Sequence, residues 1–140
     1  MKTSSSGRRW WPRHRLPDTG AAATEIVIAT PLLLLLLLLI VQFALAWHAQ
    51  HIAQTAASHA LAAARAQGGD AAAGRERGTS TLRLLGRTVL LHPRLTVVRS
   101  ARSAVVEVQG GVEQLVPGLH LTVAARAAGA VERWSVPGEG

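Results

Sequence analysis

The chain has 140 residues and carries 15 basic against 8 acidic side chains, a net charge of +7. That length accommodates one membrane anchor and at most one small domain. The lack of cysteine excludes a disulfide framework and a thiolate metal site, and one phenylalanine, four tryptophans and no tyrosine exclude an aromatic-rich core. The arginines are scattered among alanines and valines and form no stripe, so no specific nucleic acid is expected as a partner. An anionic membrane surface is the better partner for the basic N-terminal arm.

Residues 1–20 read as a short basic cytoplasmic leader or tail. Lys2, Arg8, Arg9, Arg13 and Arg15 stand there against one acid, Asp18, whereas between His48 and Gln67 the only charge is Arg65. By the positive-inside rule this asymmetry places the N-terminus in the cytoplasm and everything after Trp47 outside. Trp10 and Trp11, beside Arg8 and Arg9, read equally well as headgroup contacts or as part of a solvated arm.

The junction that follows reads Asp18-Thr19-Gly20, then Ala21-Ala22-Ala23-Thr24-Glu25, then an apolar run. A carboxylate at the edge of a hydrophobic segment needs water or a partner. One reading keeps Glu25 in the first turn of a helix, favoured by the macrodipole and snorkelling to the interface. The other uses spacing: cleavage after Gly20 would make Ala21 a new amino terminus and put Glu25 about one helical turn away. That pattern resembles the processing site of type IV prepilins and pseudopilins.

From Ile26 to Trp47 there is no charge, and the only polar side chains are Thr30 and Gln42. At 1.5 Å per residue the run is ~33 Å of helix, enough to cross a bilayer core of ~30 Å. The unbroken leucines Leu32–Leu39 are apolar on every side, and a chain this small has no core to surround them. Pro31 removes the hydrogen bond to the Val27 carbonyl and predicts a helix kink. A rival reading cleaves Ala44-Leu45-Ala46 after Ala46 as a signal peptide, releasing a soluble secreted protein from Trp47. The run is longer than the 7–15 residues of a usual signal-peptide core, which weighs against it.

Beyond the anchor, Ala, Gln and Leu without proline predict that the helix continues to Gly68, with Leu45, Ile52, Ala56, Ala60 and Ala63 near one face. His48 and His51 have i,i+3 spacing, but no carboxylate lies near to complete a metal site, so no metal is expected. Residues 68–79 (GGDAAAGRERGT) read as a flexible loop. Thr79 or Ser80 would then cap a short amphipathic helix with Leu82, Leu85 and Val89 on one face, ended by His92-Pro93. Arg94–Arg99, Ala104–Gln109 and Leu119–Arg126 are strand-like. Ala104, Val106 and Val108 share a face, as do Leu119, Leu121, Val123 and Ala125. They predict a small antiparallel sheet on the membrane-proximal helix, with an edge open to a neighbouring subunit.

The string from Thr19 to Gly68, together with the ending from Pro117 to Trp134, resembles the TadE-like proteins, small pseudopilins of tight-adherence pilus systems. In that family a basic leader precedes a small residue, a run ending in Glu, a Pro-Leu-rich membrane helix and a Gln/Ala helix. The resemblance implies that Gly20 is the last leader residue, recognised by a prepilin peptidase, and Ala21 the first mature one. It also implies that Glu25 pairs with the free amino group of a neighbouring subunit during assembly. Residues 68–94 carry no motif of the family.

The resulting expectation is an α+β chain. It comprises a leader (1–20), a transmembrane and membrane-proximal helix (21–67), a loop with a short helix (68–93) and a small extracytoplasmic β-rich region (94–140). No catalytic constellation, cofactor site or small-molecule substrate is expected: G-x-S-x-G, phosphate-loop and His-Glu-x-x-His patterns are missing and the acids are dispersed. The expected partners are the lipid bilayer, other pilus or pseudopilin subunits and a prepilin peptidase. The alternatives are the secreted form and an unprocessed single-pass accessory protein.

Overall fold

The computed structural model describes residues 19–132. The basic arm up to Asp18, with Trp10 and Trp11, and the last residues up to Trp134 and beyond lie outside them. The chain divides into two units, Met1–Leu35 and Leu36–Gly140. The element order is α1 (Thr19–Arg65), α2 (Ala71–Leu85), β1 (Leu90–Arg99), β2 (Ser103–Val112) and β3 (Thr122–Ala130), an α+β architecture.

In the first unit the described residues are wholly helical, and Ile26, Val27, Ile28, Leu32, Leu33, Leu34 and Leu35 are all exposed. Thr24 and Thr30 turn their hydroxyls back onto the carbonyls of Gly20 and Ile26, at 2.9 and 2.8 Å. This satisfies the hydroxyls within the helix itself. The helix continues through Pro31 without a break.

The second unit holds the core. The three strands form one antiparallel sheet in the order β1-β2-β3. Alternation decides which face is buried: Ala104, Val106 and Val108 of the central strand are fully buried, and Val97, Val123 and Ala125 join them. Burying a valine of this kind stabilises by about 1.5–3 kcal/mol. Against that face lies the far half of α1, through Ala49, Ile52, Ala53, Ala56, Ala57, Ala60, Leu61 and Ala64. Alanines there let helix and sheet backbones approach closely. Of the face expected from sequence, Ile52, Ala56 and Ala60 are buried and Leu45 packs against the core, while Ala63 is half-buried.

Residues 70–79 depart from the expected loop. Helix α2 begins at Ala71, and Asp70 caps it by accepting a 2.7 Å hydrogen bond from the Ala73 amide. Gly74 and Gly78 therefore lie inside a helix, and the reason is close packing. A Cβ on Gly74 would stand 2.9 Å from Ala64 Cβ and 3.0 Å from the Ala60 carbonyl oxygen; one on Gly78 would stand 2.8 Å from a Leu95 methyl and 2.9 Å from Ala60 Cβ. The two glycines, four apart, meet two alanines, four apart, on α1. Neither Thr79 nor Ser80 is a cap, and α2 ends at Leu85, before Val89.

His92-Pro93 does not terminate a helix either. Both residues belong to β1, where the register with β2 shifts between Leu91 and Arg94 and His92 takes a left-handed φ of 46°. Pro93 lacks an amide to donate, and the bulge is how the strand accommodates it. α1 ends at Arg65, slightly short of Gly68. The end of the sheet is joined to it there: the Glu132 amide donates to the Arg65 carbonyl at 3.0 Å, and the two side chains make an exposed ion pair at 3.5 Å.

Candidate functional site

Gly20 and Ala21 fall in the first turn of α1, and a Cβ on Gly20 would meet nothing within 4 Å. Because α1 begins at Thr19, Glu25 lies beyond the first turn, where a macrodipole effect has faded. The first-turn reading of Glu25 therefore loses its main support. The Glu25 side chain is exposed and takes part in no hydrogen bond or ion pair among the described residues. The carboxylate is thus available to a partner outside the fold. Pro31 sits two turns further on in the same unbroken helix.

In the second unit Gln42 is the residue the sequence undervalues. It lies in the apolar run, yet it is fully buried, flanked along the helix by exposed Val41 and Phe43. Its side-chain oxygen accepts hydrogen bonds from the amides of Leu115 at 2.7 Å and Val116 at 3.4 Å. Its side-chain nitrogen donates to the Glu113 carbonyl at 3.0 Å. The connection between β2 and β3, which has little regular structure of its own, is clasped at that point to α1. The signal in the sequence was a lone glutamine between Val41 and Phe43, which a span of lipid-facing residues has no use for.

Two further polar ties fix the helix to the rest of the unit. Gln50 donates to the Ala124 carbonyl at 2.8 Å, and His59 Nδ1 stands 3.3 Å from the buried Thr81 hydroxyl, which itself donates to the Arg77 carbonyl at 3.0 Å. His48 and His51 are exposed, and His51 meets Trp47 edge to face at 5.2 Å. Among the described residues no three His, Asp or Glu side chains gather as metal ligands would.

α1 is the one described helix long and apolar enough to cross a membrane. In the second unit Leu36, Leu37, Ile40 and Val41 at its near end are exposed, Leu38 and Leu39 are half-buried, and the first fully buried side chain is Gln42. The helix therefore changes environment at Gln42, before the Trp47 boundary that composition suggests.

The family model of the TadE-like proteins matches residues 20–65. Its first residue is Gly20, and its last, Arg65, is also where α1 ends. Neither the curated proteins nor the solved structures give a match to the chain.

Proposed function

We propose that this chain, whose residues 20–65 are a TadE-like segment, is a membrane-anchored pilus-assembly protein acting as a minor pseudopilin, structural and not catalytic. A prepilin peptidase cuts between Gly20 and Ala21, the N-terminal side faces the cytoplasm, and residues beyond the single span lie outside. The observation that carries this reading is the match itself, which begins at the glycine that opens the Gly20-to-Glu25 spacing.

Chemistry supports the role of Glu25. A bilayer core takes about 20 helical residues. Counted back along the sequence from Val41, that length reaches Ala22 and places Glu25 inside the apolar edge of the span. A carboxylate there is costly alone and stable beside an ammonium that shares its need. The amino group that cleavage creates on a neighbouring subunit's Ala21 is such a partner. Pro31 leaves the Val27 carbonyl without its helical hydrogen bond, a kink that a membrane helix tolerates.

The secreted alternative fits the second unit poorly. Cleavage after Ala46 would remove Gln42 together with its hydrogen bonds to residues 113–116, and also Leu45 and Ala46, which pack against the core.

The test is Glu25→Ala in the native host. Membrane insertion should survive, and co-purification with pilus components should be lost. Unchanged co-purification would remove the pairing role.

A further inference from the structure

The geometry points to a binding site for the headgroup of an anionic phospholipid of the outer leaflet, at the end of the sheet where α1 leaves the bilayer. The inference rests on the membrane-anchored reading and goes beyond it. The site is a cavity of about 490 Å³ between β1, β2 and β3, with Arg94, His92, His120 and Gln109 around it and Gly111 in its wall.

Its chemistry favours an anion. One permanent cation, Arg94, and two imidazoles line it, glutamine side chains add donors, and no carboxylate does. Arg94 is exposed and forms no ion pair among the described residues. A guanidinium with free donors matches a phosphodiester in shape and charge.

Its construction is specific. The β1 bulge, with His92 at a φ of 46°, interrupts the pairing between Leu91 and Arg94, and such irregularities concentrate where a strand must re-aim its side chains. Gly111, on the outward face with Gln109, adds no side chain to the cavity wall, and a Cβ there would meet only ordinary contacts, 3.6 Å from Leu91 Cβ.

Its position favours lipid over a soluble anion. Gln114 lines the cavity, and its neighbours Glu113 and Leu115 hold Gln42. Within the same unit the helix just before Gln42 is exposed and apolar, and Leu115, Phe43 and Trp47 are exposed as well. A clasp at the point where a lipid-facing helix meets polar structure lies at headgroup depth, where aromatic side chains also concentrate. Basic side chains at such a surface gain from anionic lipid.

The test uses the full chain in nanodiscs of mixed phosphatidylcholine and phosphatidylglycerol, with the lipids retained on the released protein counted by native mass spectrometry. The wild type should retain phosphatidylglycerol preferentially, and Arg94→Gln should lower that preference about fivefold, the scale of one basic group at an anionic surface. Gly111→Leu, which fills the cavity while leaving Arg94 in place, should lower it similarly. Arg102→Gln, an exposed change outside the cavity lining, should leave it intact. A preference unaltered by Arg94→Gln and Gly111→Leu would overturn the site. Equal occupancy by glycerol 1-phosphate added to phosphatidylcholine discs would overturn its assignment to lipid. A chain that never enters the discs would instead overturn the anchored reading on which the site depends.

Discussion

Gln42 and Leu115, 73 residues apart in sequence, are joined by a 2.7 Å hydrogen bond from the Leu115 amide to the Gln42 side-chain oxygen. Gln42 also serves Val116 and Glu113, so one side chain satisfies three backbone groups of a connection that has few other ways to pair them. Gln42→Leu would suit an apolar helix better, yet it would strand those groups. An unsatisfied buried polar group costs about 1–3 kcal/mol. The expected outcome is a lower unfolding midpoint in detergent and faster proteolysis between Glu113 and Leu119, with membrane insertion unchanged. A variant as stable as the wild type and equally resistant would show that the clasp contributes nothing.

Gly74 and Gly78 set the distance between α2 and α1. Replacing an exposed helical glycine with alanine usually gains about 1 kcal/mol. At Gly74 the added carbon meets Ala64 Cβ and the Ala60 carbonyl, which move only with the α1 backbone. Overpacking of this kind costs about 1–3 kcal/mol, so Gly74→Ala should destabilise and Gly74→Val more so. Urea denaturation gives the sign directly, and a gain in stability would mean that α2 does not pack where these contacts place it.

Asp70→Ala removes the cap of α2. The loss should be about 1 kcal/mol, visible as faster amide exchange at Ala73 and Gly74 with little change in the strands. Exchange that is unaltered at those amides would show that the Asp70 side chain does not hold the helix start.

Much of this architecture was legible in the sequence because its signals are local and periodic. The leucine run, the alanine face of α1 and the alternation in Ala104-Val106-Val108 each fix an environment by pattern alone. What was not legible depends on a partner far along the chain. Gly74 and Gly78 read as loop residues until Ala60 and Ala64 are placed opposite them, since the same missing side chain serves a turn or a close contact. Asp70 read as part of the same loop, because those glycines argued against a helix behind it. His92-Pro93 read as a stop, because a bulge is visible only once β2 is paired alongside. Of the proposed site, Gly20, Ala21 and Glu25 were singled out by spacing, whereas Gln42 was noticed only as a polar residue in an apolar run. Its role rests on backbone groups at Glu113, Leu115 and Val116, which carry no side-chain signature.

Processing at Gly20 followed by assembly through Glu25 rests on where the mature chain begins. The most direct measurement is the N-terminal sequence and intact mass of the protein extracted from membranes of its native host. A chain starting at Ala21 is expected. A membrane protein starting at Met1 would contradict it and leave an unprocessed anchor whose Glu25 needs no partner, and a soluble protein starting at Trp47 in the medium would contradict the anchor as well.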